Sequence, residues 1–138
     1  MAIRGILLDT NAYAAFKRGS PEAVDILRHV PLIGLNSVVL GELLSGFAVG
    51  THETRNRQEL KEFLASDRVD IFSIGYGTAE HYASIYKNLK QIGKPIPTND
   101  MWIAATALEF GLAVFSYDNH FKVVNGIISG SHLSDFEI

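Results

Sequence analysis

The chain has 138 residues, 47% of them hydrophobic, which suffices for one domain (residues 1–138) with a real core. Twelve Lys and Arg stand against fifteen Asp and Glu, and this net charge of −3 excludes a broad cationic nucleic-acid clamp. No cysteine is present, which excludes disulfide scaffolds, thiolate zinc sites and cysteine nucleophiles and is compatible with a reducing compartment.

Ile3 to Leu8 is a short apolar run that reads as a buried strand, with Asp9 at its carboxyl end. Asn11 to Arg18 reads as a helix stopped by Gly19, and Ser20-Pro21 opens a second helix as N-cap and first helical residue. Leu32 to Leu35 is a second strand, and Ser37 is placed to cap a helix from Val38 to Phe47. Glu42 is the only charge between Val30 and Gly50, but Pro31, Asn36 and four glycines interrupt the stretch, so it is no membrane span. Thr51 to Ser66 is a charged amphipathic helix with Leu60, Phe63 and Leu64 as its apolar stripe.

Val69 to Ile74 follows as a third strand. Thr78 caps a long helix whose apolar face is Ala79, Tyr82, Ile85, Leu89 and Ile92, ended by Gly93 and Pro95. Thr98 starts a helix through Phe110, and Leu112 to Ser116 is a fourth strand. Asp118 to Val124 is a further short helix, and Gly126 onward is loop with a last strand. Strands alternating with helices give an α/β sandwich around a mainly parallel sheet. The amino end lacks a basic-then-apolar leader, and the expectation is a soluble, cytoplasmic protein with no membrane association.

Four acids stand apart from the rest. Asp9, Glu42 and Asp118 are each isolated in apolar surroundings, and Asp100 shares residues 95–117 only with Glu109. In a parallel α/β fold, strand ends and the following helix starts lie on one edge, where open sheets bind ligands. Asp9 and Asp118 follow strands, and Glu42 and Asp100 lie near helix starts, so all four converge on that edge. Taken singly, each acid also fits a helix cap or a strand-end turn. Together, unpaired, they would raise one another's pKa values, and a divalent cation is the economical counter-charge. Oxygen donors without Cys favour Mg²⁺ or Mn²⁺ over zinc. Carboxylates holding such ions hydrolyse phosphodiesters: the ion activates water, orients phosphate and stabilises the leaving oxygen.

Other signals are weaker. Gly75-Tyr76-Gly77 opens a helix as a dinucleotide fingerprint does, but Glu80 occupies its third glycine position. Asp9-Thr10-Asn11 has an aspartyl-phosphatase start without the second Asp of D-x-D. His120 is in reach of a phosphate or is a loop histidine bonded to backbone. Trp102 and Phe110 are core candidates. Lys87, Lys90 and Lys94, beside Tyr86, have no acid between Glu80 and Asp100. They form either a strip for an RNA backbone or a solvated helix face.

Leu7-Leu8-Asp9-Thr10-Asn11, Val39-Leu40-Gly41-Glu42-Leu43-Leu44, Pro95-Ile96-Pro97-Thr98-Asn99-Asp100 leading Trp102-Ile103-Ala104-Ala105, and Ser116-Tyr117-Asp118-Asn119-His120-Phe121 together resemble the PIN domain. The resemblance is closer still to VapC-type toxins of toxin–antitoxin pairs, over essentially the whole chain. It implies a Mg²⁺- or Mn²⁺-dependent endoribonuclease with a PIN-like three-layer α/β/α sandwich. In this family Asp9, Glu42, Asp100 and Asp118 match the acidic quartet, and Thr10, Asn11, Asn99 and Ser116 match polar positions supporting it. Ser116 stands where the family often has Thr. The resemblance also implies a homodimer and a VapB-like antitoxin whose tail enters the acidic groove.

The expected reaction is in-line attack of water on an RNA phosphodiester, with Asp9, Asp100 and Asp118 as main metal ligands. Glu42 is a further ligand or orients the water, and products carry 5′-phosphate and 3′-hydroxyl ends. Water attack does not require the 2′-hydroxyl, so DNA remains open as a substrate. The rival readings are a non-catalytic PIN-fold binding domain and a metal-dependent phosphomonoesterase. Setting the four acids aside leaves eleven against twelve basic residues, or +1 for the rest of the chain.

Overall fold

The computed structural model describes residues 3–136; residues 1–2 and 137–138, the ends of the expected domain, lie outside the described residues. Three buried residues, Ile6–Leu8, form β1, and the chain then turns into α1 (Thr10–Lys17) and α2 (Pro21–His29). β2 (Ile33–Asn36), α3 (Ser37–Val49), α4 (Glu53–Leu64) and β3 (Val69–Phe72) follow. α5 (Tyr76–Ile92) and α6 (Thr98–Phe110) lead to β4 (Ala113–Phe115) and the two-residue β5 (Ser129–Gly130). Short 3-10 helices occupy Asn119–Val123 and Leu133–Phe136.

The five strands lie in the order β3-β2-β1-β4-β5, and every pairing is parallel. From β1 the chain steps through β2 to β3, then returns past β1 to β4. Right-handed crossovers then put α1–α4 on one face and α5 and α6 on the other, the expected three-layer sandwich. The direction reverses between β1 and β4, so the crevice of this sheet opens beyond their carboxyl ends. β1 and β4 are buried along their whole length, as central parallel strands covered on both faces must be. Among the described residues, no helix is long and apolar enough to cross a membrane.

Several boundaries differ from the sequence expectation for local reasons. Asn36, not Ser37, caps α3: its Oδ1 accepts from the Val39 amide at 2.9 Å. Ser20 occupies the cap of α2 without a side-chain bond to it. α5 begins two residues before Thr78, whose hydroxyl accepts from the Gly75 amide at 3.0 Å and donates to Glu109 at 2.5 Å. Glu109 thus brings a carboxylate to the positive end of α5, a favourable placement. A Cβ on Gly77 would lie 2.4 Å from Glu109 Oε2, so this glycine makes room for that contact and forms no dinucleotide loop. Ala79 and Ile92, expected on the apolar face of α5, are exposed, whereas Ile85 and Leu89 are buried. Trp102 and Phe110 sit at the margin of the core, Trp102 stacked on Tyr82 and Phe110 tilted against Phe72, with centroids 4.1 and 4.7 Å apart.

Asn36 ties β2, α3 and α6 together. It is fully buried, and its Nδ2 donates to Thr106 Oγ1 at 3.1 Å while its oxygen caps α3. Asn36→Ala removes both bonds and is expected to lower unfolding stability in urea by about 1–3 kcal/mol, the sum of a lost cap and a buried hydroxyl deprived of its donor. A loss under ~0.5 kcal/mol would mean that α3 is positioned by its apolar packing alone.

Candidate active site

The site is assembled at the carboxyl edge of the sheet from four separate elements. Asp9 leaves β1 and caps α1, with Oδ1 accepting from the Thr10 amide at 2.8 Å. Glu42 lies in the second turn of α3, Asp100 in the first turn of α6, and Asp118 just after β4. Asp9 and Asp100 are buried, Glu42 is half-buried and Asp118 is exposed, so the cluster grades from a protein floor to an open mouth.

Neutral donors hold these acids in place. Ser116 Oγ donates to Asp9 Oδ2 at 2.6 Å and itself accepts from the Asp118 amide at 3.0 Å. Thr10 Oγ1 donates to Glu42 Oε1 at 2.6 Å, and Asn99 Nδ2 donates to Glu42 Oε2 at 3.2 Å. Asn11 Nδ2 reaches Asp118 Oδ2 at 3.3 Å while its oxygen accepts from the Tyr117 amide at 3.1 Å. Among the described residues, seven of the eight singled out in the sequence share one hydrogen-bonded network, and Asp100 lies beside it, hydrogen-bonded to none of the seven.

His120 joins them. Its Nδ1 lies 2.5 Å from Asp100 Oδ2, so it is bonded to a carboxylate twenty residues away in sequence and not to backbone. Asp100, Asp118 and His120 each bring a ligand atom to within 4.8 Å of the others, a set with a nitrogen donor where oxygen alone was expected. Chain spacing gave no signal for this contact; it arises because the 3-10 helix after β4 passes the start of α6. Lys87, Lys90 and Lys94, by contrast, stay exposed on α5 and the loop beyond it, outside this network.

Among the described residues, neither Lys nor Arg forms an ion pair with any of the four acids. The electrostatic consequence is direct. Burial pushes the Asp9 carboxyl above its ordinary value, and Asp100 and Glu42 add to the rise while the Ser116 and Thr10 bonds oppose it. Burial likewise raises Asp100, against the lowering influence of His120, with Asp118 and Glu42 raising it further. Carboxylates that raise one another in this way lie close together without enough positive charge to offset them. The donor set therefore suits a divalent cation, with hard oxygen ligands matching Mg²⁺ or Mn²⁺ and one imidazole at the margin.

Residues 6–127 match the family model for the PIN domain. The chain belongs to the PIN domain family. This PIN domain is similar to Ribonuclease VapC4 of Mycobacterium tuberculosis, 30% identical over 66% of this chain and 70% of the relative. Among solved structures it is similar to DNA-bound VapBC from Salmonella typhimurium, with a TM-score of 0.82 at 23% identity over 93% of this chain and 98% of the other, a likeness of fold. It is also similar to VapBC-5 from Mycobacterium tuberculosis, a member of the VapBC family of toxin–antitoxin systems: TM-score 0.66, 25% identity, 91% and 96% covered. The sequence resemblance to the PIN domain and its three-layer fold is thereby borne out.

The raised acids fix the sign of a pH effect. Below the ordinary carboxylate value of 3.8, Asp9 and Asp100 are neutral in both folded and unfolded chains and cost nothing. As pH rises through that value and then the higher folded values, ionisation penalises the folded chain, so metal-free stability declines across this window. Added Mg²⁺ or Mn²⁺ is expected to raise the melting temperature above the window and have little effect below it. Asp9→Asn is expected to stabilise the metal-free protein by about 0.5–2 kcal/mol at neutral pH while removing most of the metal-dependent gain. Calorimetry showing equal metal stabilisation for wild type and variant would contradict this assignment.

Proposed function

We propose that the chain is a metal-dependent endoribonuclease, the toxin of a VapBC-type pair, which hydrolyses RNA phosphodiesters with water to leave 5′-phosphate and 3′-hydroxyl ends. The observation that carries this reading is the convergence of Asp9, Glu42, Asp100 and Asp118 on one sheet edge with, among the described residues, neither lysine nor arginine paired to them. A PIN domain similar to proteins named as ribonucleases supports RNA over DNA as the substrate.

In this reading Asp9, Asp100 and Asp118 hold Mg²⁺ or Mn²⁺, with Glu42 as a further ligand or as the group that orients the attacking water. The cation, when bound, supplies Lewis acidity toward water and phosphate and offsets charge on the leaving oxygen. The chain's own part is geometric. Ser116 fixes the buried Asp9, and Asn11 fixes the exposed Asp118, so each acid is held by a neutral donor. Thr10 and Asn99 grip one oxygen each of Glu42, leaving its remaining lone pairs free to serve a cation or orient a water. His120 steadies Asp100 and lies within reach of a substrate phosphate.

The likeness to a VapBC toxin–antitoxin system supports a VapB-like antitoxin as partner, and the family resemblance implies a homodimer acting in the cytoplasm. Residues 1–138 then form one PIN-like domain. A non-catalytic binding domain would not need four clustered carboxylates, whose repulsion it would bear to no purpose. A phosphomonoesterase acting through an Asp9 nucleophile would need a second acid two residues on, where Asn11 stands.

The test is cleavage of a defined single-stranded RNA. Activity is expected to vanish with EDTA and return with Mg²⁺ or Mn²⁺. Asp9→Asn is expected to fall to background, and Ser116→Ala to lose about 10- to 100-fold, as removal of a group that orients a metal ligand does. The cut ends are expected to be ligatable through a 5′-phosphate. Wild-type rates in Asp9→Asn, or cyclic phosphate ends, would overturn the mechanism; turnover of a small phosphate monoester with RNA left intact would overturn the substrate class.

A further inference from the structure

Beside the acid network lies a cavity that it does not use. It is a half-open cavity of about 270 Å³ where α5 meets the connection to α6, lined by Tyr86, Leu89, Lys90, Pro95, Ile96 and Met101. Leu89 and Met101, 3% and 7% exposed, form its floor, while the Tyr86 ring, 50% exposed, stands as an open wall. Gly93, with φ 68°, ends α5, and the Lys94 amide turns back to the Leu89 carbonyl at 3.0 Å. This bend brings Pro95 and Ile96 round as the opposite wall. Met101 directly follows Asp100, so the cavity floor and the acid network share the first turn of α6.

Its rim is cationic. Lys87, Lys90 and Lys94 recur along one side of α5 and its end, and no acid occurs from His81 to Asn99. Among the described residues none of the three forms an ion pair. Lys90 Nζ lies 5.9 Å from the Tyr86 centroid, so the ring carries a positive charge at its face. An apolar slot with an aromatic wall, with Lys90 in its lining and Lys87 and Lys94 before and after it along the chain, matches a flat apolar ring joined to anions. The volume falls below the ~300–1,000 Å³ of pockets that enclose whole small ligands, which fits one planar base rather than a nucleotide.

We propose that this cavity is a base-stacking subsite for single-stranded RNA. Tyr86 is the platform, and Lys87, Lys90 and Lys94 contact the flanking phosphates. The proposal deepens the ribonuclease reading and rests on it for the identity of the polyanion. Stacking requires a base free of its own helix, so the subsite selects loops and unpaired segments over duplex RNA. A second copy of the chain is the poorer occupant, because a two-fold contact sets a patch against itself and would bring the lysine strip close to its own copy.

The experiment measures binding of a short fluorescein-labelled single-stranded RNA in Mg²⁺, with Asp9→Asn as background so that the probe is not consumed. Tyr86→Ala is expected to weaken binding roughly 5- to 100-fold, the range implied by loss of one stacked base, and Tyr86→Phe to restore it. Replacing Lys87, Lys90 and Lys94 with Gln is expected to flatten the salt dependence by ~0.7 for each phosphate no longer neutralised. With Asp9 restored, Tyr86→Ala is expected to raise KM for RNA and leave kcat within about twofold. Unchanged RNA affinity in Tyr86→Ala overturns the subsite even if the wild type cuts RNA. If Tyr86→Ala instead splits a dimer in sedimentation while each protomer binds RNA normally, the face belongs to a second copy and the proposal is wrong. RNA that binds through Tyr86 but is never cut would overturn the ribonuclease reading and leave the subsite standing.

Discussion

Mutual repulsion among four carboxylates at one sheet edge is the constraint on which the rest of this structure depends. Each acid comes from a different element, so the backbone of the whole domain is needed to hold them together. Left to themselves they would swing apart or protonate, and burial has already moved Asp9 and Asp100 toward protonation. The chain answers with neutral donors. Ser116, Thr10, Asn99 and Asn11 orient the carboxylates by hydrogen bonds while leaving their charge uncancelled. A lysine or arginine in the same place would relieve the repulsion more directly, and would also occupy the position of a cation.

The fold distributes this load by topology. β1 and β4, which deliver Asp9 and Ser116, are the central buried strands flanking the point where strand order reverses. Their three-residue lengths suffice because every residue is covered on both sides. Asn36 then joins the end of β2 to α3 and to Thr106 of α6, so the helices carrying Glu42 and Asp100 are fixed to each other beneath the site. α3 and α6 thus come from opposite faces of the sheet and meet over its edge, where Asn99 closes the contact on Glu42.

Much of this is legible in the sequence, because isolation of an acid in apolar residues survives folding as isolation from counter-charge. Asp9, Glu42, Asp100 and Asp118 stand out that way, and parallel-sheet topology predicts their common edge. Contacts set by which elements happen to pass one another leave no such mark. His120 reaches Asp100 across twenty residues, and Glu109 reaches the start of α5 across thirty-one. Neither spacing belongs to a helix or strand period. The cap of α3 shifts by one residue for a related reason: Asn36 and Ser37 are both good capping types, and only the buried position of Asn36 next to Thr106 decides between them.

The net charge of −3 taken alone argues against nucleic acid, yet the structure gives that number a location. Four acids are gathered at one sheet edge, and the surface beside it carries three lysines without an acid among them. Such a division lets one molecule offer a cation cage and a phosphate-attracting rim side by side. Overall charge averages over both and reports neither. For a polyanionic substrate the field near the cleft governs approach, and a divalent ion held by the carboxylates would offset their charge where the phosphate arrives. Acidity concentrated in this way is therefore compatible with an RNA ligand, whereas the same four acids spread over the surface would repel it.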